Sequence, residues 1–206
     1  MTRQTPRYLI LPGWNGSPAE HWQSHWQAML PDARRVEQSN WAWPQRKAWV
    51  AALEQAVAAS DGPLILIAHS LGCITLAHWA ASAAPQQRAK ILGALLVAPA
   101  DVERPGCPVA LRNFAPLVPR RLPFPALVIG SDNDPACTAR RARTLAAGWG
   151  AAVKILPGAG HINIASGHRQ WEEGFEYLDC LQGRLQALPR WLRPARQHSG
   201  GQHAAA

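Results

Sequence analysis

What this 206-residue chain lacks removes several classes of function before any motif is read. No apolar run approaches the ~20 residues a membrane-spanning helix needs. The longest, LILIA (64–68) and GALLVA (93–98), are strand-sized, so a soluble protein without a membrane partner is expected. No C-x-x-C pair occurs; Cys73, Cys107, Cys137 and Cys180 stand singly, which fits reduced thiols better than a zinc site or a disulfide framework. No G-x-G-x-x-G and no P-loop is present, so nothing calls for a nucleotide. His21 and His25 are four apart, but the glutamate of H-E-x-x-H and a third ligand are missing, and the pair reads as two surface histidines beside a Trp face. No cofactor and no metal are expected. The first residues enter a strand pattern at once, with no apolar stretch followed by a small-residue cleavage site, which points to the cytoplasm.

Acidic residues are few as well, 13 against 21 Lys and Arg, and none follows Asp179. The resulting net charge of +8 invites a nucleic-acid reading until its location is checked. Arg184, Arg190, Arg193 and Arg196 supply four of those charges, and the final stretch PRWLRPARQHSGGQHAAA mixes Pro, Gly, Arg and Ala without a period. The expected organisation is one domain over 1–186 and a flexible basic tail over 187–206. Such a tail touches polyanions weakly, and no specific nucleic-acid partner is expected.

What is present is a repeated alternation of strand and helix. YLIL (8–11), ARRVEQ (33–38), LILIA (64–68), GALLVA (93–98), PALVIG (125–130) and AAVKIL (151–156) read as six strands. Ser17-Pro18-Ala19-Glu20 reads as a helix start, with Ser17 as N-cap and Pro18 at the first helical position; Trp22, Trp26, Met29 and Leu30 then share one face up to Pro31. Further helices fit Gln45–Ala59, Leu71–Ala84, 137–149 and 169–184. Continuous apolar strands between helices signal a mainly parallel sheet covered on both faces, so the fold class is α/β, a three-layer α/β/α sandwich.

Ala68-His69-Ser70-Leu71-Gly72 is a relaxed G-x-S-x-G. Small residues two before and two after the serine let strand fold tightly against helix and expose the hydroxyl at the turn. Ala58-Ala59-Ser60-Asp61-Gly62 matches the same relaxed pattern but lies between a helix and a strand, the reverse of what the turn requires. Ser70 follows a strand and opens a helix. A serine hydroxyl is a poor nucleophile unless a base takes its proton and a third group orients that base. In chains with such an elbow, the α/β hydrolases, the acid and then the histidine follow the serine, each on a loop beyond a strand. Gly130-Ser131-Asp132-Asn133-Asp134-Pro135 follows PALVIG, and Gly158-Ala159-Gly160-His161 follows AAVKIL. Both Asp132 and Asp134 lie on the acid loop, and the pattern leaves the choice open. An oxyanion would be met by the N–H of Leu71, at the helix start, and by that of Trp14 in the loop Pro12–Gly16. Trp14, Trp41 and Trp43 fall on loops that can line a pocket mouth.

These residues resemble a known group, the small serine hydrolases related to retinoblastoma-binding protein 9 and its bacterial YdeN-like relatives. The resemblance rests on LPGWNGSPAEHWQSHW (11–26), IAHSLGC (67–73), SDNDPACT (131–138) and GHINIASG (160–167), and spans about residues 8–178. It implies a minimal α/β-hydrolase fold without a lid domain, and it places the triad on Ser70, Asp134 and His161. One departure falls at the pocket rim, where Ser166-Gly167-His168-Arg169-Gln170-Trp171 replaces a more glycine-rich stretch. The reading is a carboxylesterase-like serine hydrolase that acts on small-molecule esters or amides. The rival is a catalytically weak hydrolase-fold binding or adaptor protein.

Overall fold

Residues 5–187 are described by the structure, a computed structural model. The six apolar segments form one sheet in which every neighbouring pair is parallel: β1 (Arg7–Leu11), β2 (Ala33–Arg35), β3 (Leu64–His69), β4 (Ile91–Val97), β5 (Ala126–Ser131) and β6 (Ala152–Leu156), in the order β2-β1-β3-β4-β5-β6. Burial follows position in the sheet. Every residue of β3 and β5 is buried, whereas the edge strands β2 and β6 keep exposed positions that a one-sided polar pattern predicts.

The helices are α1 (Trp22–Met29), α2 (Arg46–Ala58), α3 (Leu71–Ser82), the single turn α4 (Pro85–Arg88), α5 (Ala139–Trp149) and α6 (Gly174–Ala187). On one face of the sheet, Trp49, Leu53 and Val57 of α2, most of α3, and Leu145 and Trp149 of α5 pack over Leu9, Leu66, Leu96 and Val128. On the other face, Trp22 and Trp26 of α1 with Leu178 and Leu181 of α6 pack over Ile10, Ile67, Val97 and Ile129. Strand residues alternate between the two clusters as the two-residue period of a strand demands. Trp22, Trp26, Trp49, Trp79 and Trp149 are fully buried and Trp171 nearly so, and most of the indoles among the described residues are therefore core.

Three details depart from the sequence pattern. The first helix starts at Trp22, not after Ser17, because residues 18–21 close a separate turn through His21 N–H to Pro18 O at 2.9 Å; His21 then caps the helix, its Nδ1 accepting from Gln23 N–H at 3.1 Å. Ser17 instead donates to the side chain of Gln23. Met29 is 68% exposed; Leu30, which leaves the helix in extended backbone, packs against the second cluster in its place. The last helix begins at Gly174 because 169–173 form a loop in which Trp171 is buried at φ 48°. The expected tail, beyond the end of α6, lies outside the described residues. Among the described residues no helix is long and apolar enough to cross a membrane.

The strand order places the site. From β1 the chain moves outward to β2 and then crosses back to β3 on the other side, so the crevice between the carboxyl ends of β1 and β3 is the topological switch point where open α/β sheets bind ligands. Pro12 to Gly16 and Ser70 are the residues that leave those two strand ends.

Candidate active site

Ser70 sits between the last residue of β3 and the first of α3 at φ 53°, ψ −119°, a conformation L-residues rarely adopt. Its neighbours hold it there. Ser70 N–H donates to Val97 O at 2.9 Å, and Ser70 O accepts from Cys73 N–H and Ala100 N–H. The need for small flanking residues is visible in the packing. A Cβ on Gly72 would stand 2.3 Å from Leu11 O and 2.8 Å from Pro12 O, while Ala68 is completely buried.

Ser70 Oγ lies 2.9 Å from His161 Nε2, and His161 Nδ1 lies 2.9 Å from both carboxylate oxygens of Asp134. Facing a carboxylate, Nδ1 carries the ring proton, which leaves Nε2 free to accept from the serine hydroxyl. The carboxylate is buried, its side chain 1% exposed, against 18% for the imidazole. Water therefore screens the pair little, and Asp134 Oδ1 is further fixed by accepting Ala136 N–H at 2.7 Å.

Asp132, the other candidate acid, faces elsewhere: its Oδ1 accepts Gly158 N–H at 2.8 Å. Next to it, Asn133 Oδ1 accepts Gly160 N–H at 2.6 Å and Ser131 O–H at 2.7 Å. The loop after β5 thus supplies one carboxylate to the imidazole and uses its other two polar side chains to tie down the loop that carries His161.

The loop after β1 runs against the serine. A Cβ on Gly13 would come 2.7 Å from Ser70 Cβ, so Trp14 begins directly beside the nucleophile. Among the described residues neither Trp14 N–H nor Leu71 N–H has a protein acceptor, and Leu71 is the first residue of α3, where helix dipole and free amides favour negative charge. The Trp14 ring is anchored away from the serine through Nε1 to Ala42 O at 2.8 Å, and Asn15 N–H donates to Trp41 O at 3.2 Å. That staples the segment carrying Trp41 and Trp43 to the loop, with Trp14 and Trp43 exposed at the rim.

Four residues around the site lie within the quoted sequence segments, but the sequence gives none of them the role that the structure shows. Gln23, fully buried, donates its side-chain amide to Leu11 O at 3.2 Å and Ile67 O at 3.1 Å, joining the two strands that lead to Gly13 and Ser70. His69 Nε2 lies 3.0 Å from His161 O, and Trp22 Nε1 donates to Ile162 O at 2.9 Å. His21, expected on the surface, is 4% exposed and meets His69 edge-on with ring centroids 5.0 Å apart. Burial pushes the His21 imidazole down to about 4, and burial next to His161 and His21 holds His69 well below the usual imidazole value. Both are neutral at pH 7. Arg141 on α5 pairs with Asp101 and Glu103. Among the described residues no cluster of three or more His, Cys, Asp or Glu is arranged to hold a metal ion.

Comparison with known proteins places the chain among relatives. A family model described as serine hydrolase matches residues 8–180. A YdeN-like hydrolase from Pectobacterium atrosepticum is 31% identical and superposes with a TM-score of 0.75, over 87% of this chain and 91% of that one. The ydeN gene product of Bacillus subtilis gives the same TM-score at 19% identity, over 87% of this chain and all of its own. Est1E from Butyrivibrio proteoclasticus shares the fold at 14% identity and a TM-score of 0.66, over 89% of each chain. No curated protein sequence matches the chain.

Proposed function

This chain belongs to the serine hydrolase family, alongside the YdeN-like hydrolases, and from that membership we propose that it cleaves small acyl esters or amides through Ser70, His161 and Asp134. The observation that carries the reading is the continuous hydrogen-bond line from Ser70 Oγ through both nitrogens of His161 to the buried carboxylate of Asp134.

In the first step Ser70 Oγ attacks the substrate carbonyl carbon while His161 Nε2 takes the hydroxyl proton. The carbonyl oxygen becomes an oxyanion, met by the N–H groups of Leu71 and Trp14, a pair of fixed donors worth about 2.7–4 kcal/mol of barrier each where such groups have been removed. Asp134 holds the Nδ1–H tautomer and stabilises the imidazolium without taking its proton. His161 then gives its proton to the departing alcohol or amine, leaving an acyl-enzyme on Ser70. Water repeats the sequence: His161 removes its proton, hydroxide adds to the acyl carbon, and Ser70 leaves with the proton returned.

The long connection between β4 and β5 supports a preference for short acyl groups. Its turn Val109–Phe114 folds down onto α2 and α3, with Phe114 buried against Trp49 and Asn113 bonded to Arg46 N–H and Pro44 O, so it builds no domain over the serine. The test is a series of p-nitrophenyl esters with wild type and Ser70→Ala. Acetate and butyrate should be hydrolysed faster than laurate by wild type and none above background by the variant; faster laurate hydrolysis would contradict the shallow site, and equal rates for both proteins would contradict the serine.

A further inference from the structure

His161 stands on irregular backbone. Gly160 before it and Ile162 after it both have positive φ, 57° and 47°, so no helix or strand ladder fixes the carbonyls of this stretch. Two side chains, one from the end of β3 and one from α1, do so instead. His69 Nε2 meets His161 O at 3.0 Å and Trp22 Nε1 donates to Ile162 O at 2.9 Å, and the two donor rings stand perpendicular to each other with centroids 5.9 Å apart. A carbonyl oxygen only accepts, so His69 carries its proton on Nε2.

His69 also immediately precedes the nucleophile. Along β3, Ile65 and Ile67 face the cluster that contains Trp22, and His69 continues that alternation while Ser70 turns the other way. The consecutive residues 69 and 70 thus grip the same histidine at its two ends, Ser70 Oγ at the ring and His69 at the backbone. On the reading that Ser70 and His161 are the nucleophile and base, we propose that His69 is a positioning residue for the reaction: a neutral imidazole whose Nε2–H, with Trp22 beside it, clamps the carbonyls of 161 and 162 and so sets the reach of His161 Nε2 to Ser70.

A clamp of this kind works only if the ring never charges, since an imidazolium packed against His21 and His161 would repel the protonated base formed in each step. Burial supplies that condition, because a desolvated imidazole stays neutral. The ring also has no room to turn away, being enclosed by His21, Trp22 and the loop of His161.

Three proteins separate the donor from the bulk of the ring. His69→Phe keeps an aromatic ring and removes the N–H, whereas His69→Gln returns an amide donor at similar reach. With an activated ester, His69→Phe is expected to lower kcat about 10- to 100-fold with KM within about twofold, the size of loss that follows from ångström-scale misplacement. His69→Gln should recover most of it. Unchanged kcat in folded His69→Phe would overturn the clamp, and so would equal losses in His69→Phe and His69→Gln, which would assign the effect to packing alone. Should His69→Phe fail to fold, nitrogen NMR on wild type decides. A neutral Nε2–H tautomer for His69 with a slowly exchanging proton supports the clamp, and an Nδ1–H tautomer or a titration near the usual imidazole value overturns it. Wild type with no activity above Ser70→Ala would instead overturn the reading of the serine on which the clamp depends.

Discussion

Gly13 and Ser70 are in van der Waals contact: a Cβ on Gly13 would fall 2.7 Å from Ser70 Cβ, 3.2 Å from its Oγ and 3.3 Å from His69 O. The loop that would bind an oxyanion and the residue that would create it are therefore one packed unit, and a single methyl group is enough to separate them. Gly13→Ala is expected to lower kcat/KM by about 10²-fold, the cost of displacing a reacting group, and to lose about 1–3 kcal/mol of stability through overpacking. Steady-state kinetics beside a urea titration checks both. Gly72→Ala tests the same junction from the other side. Its methyl would meet only backbone, Leu11 O at 2.3 Å and Pro12 O at 2.8 Å, so a loss of about 3 kcal/mol or more is expected.

The two aspartates of the β5 loop should separate cleanly. Asp134 meets the imidazole and Asp132 meets Gly158 N–H. Asp134→Asn is expected to lower kcat by about 10⁴-fold, because an amide no longer enforces the productive tautomer. Asp132→Asn retains an acceptor and should stay within about tenfold of wild type. Comparable losses in both variants would contradict the assignment.

Gln23 is buried with its amide spanning Leu11 O and Ile67 O. Gln23→Leu leaves two carbonyls without their donor at about 1–3 kcal/mol each, so an unfolding free energy about 2–6 kcal/mol lower is expected. Chemical denaturation of the two proteins, with m-values compared, measures it.

Acid stability has a defined direction. The fold keeps His21 uncharged down to about pH 4, whereas the unfolded chain protonates it near 6.5. Between those values the unfolded state binds more protons, so the contribution is complete above about pH 6.5 and is lost as pH falls towards 4. From His21 alone this is about 3 kcal/mol, and His69 acts in the same direction. His21→Asn, which can still cap α1, should flatten the fall; thermal unfolding from pH 7 to 4 in both proteins shows whether it does.

The sheet, its helices and the three chemistry-bearing loops are legible in the sequence because each rests on local signals: runs such as LILIA, breakers such as Asp61-Gly62, and a serine between strand and helix. The local pattern does not choose between Asp132 and Asp134, since both occupy one turn and only the direction of each side chain relative to His161 distinguishes them; the family resemblance alone points to Asp134. The start of α1 is missed for a related reason. Ser17-Pro18 carries the local chemistry of a cap, but Ser17 is bonded to Gln23 and Arg35, and His21 takes the helix terminus. His69 is hidden most completely. Its partner is a backbone carbonyl 92 residues away, and a bond to a backbone atom places no constraint on residue type that a pattern can show.

Labelling of the purified protein with a fluorophosphonate probe, comparing wild type with Ser70→Ala and His161→Ala, tests the central claim without any assumption about the substrate. Wild type should label covalently on Ser70 and both variants should not. Absence of labelling in folded wild type, or undiminished labelling in Ser70→Ala, would contradict the account.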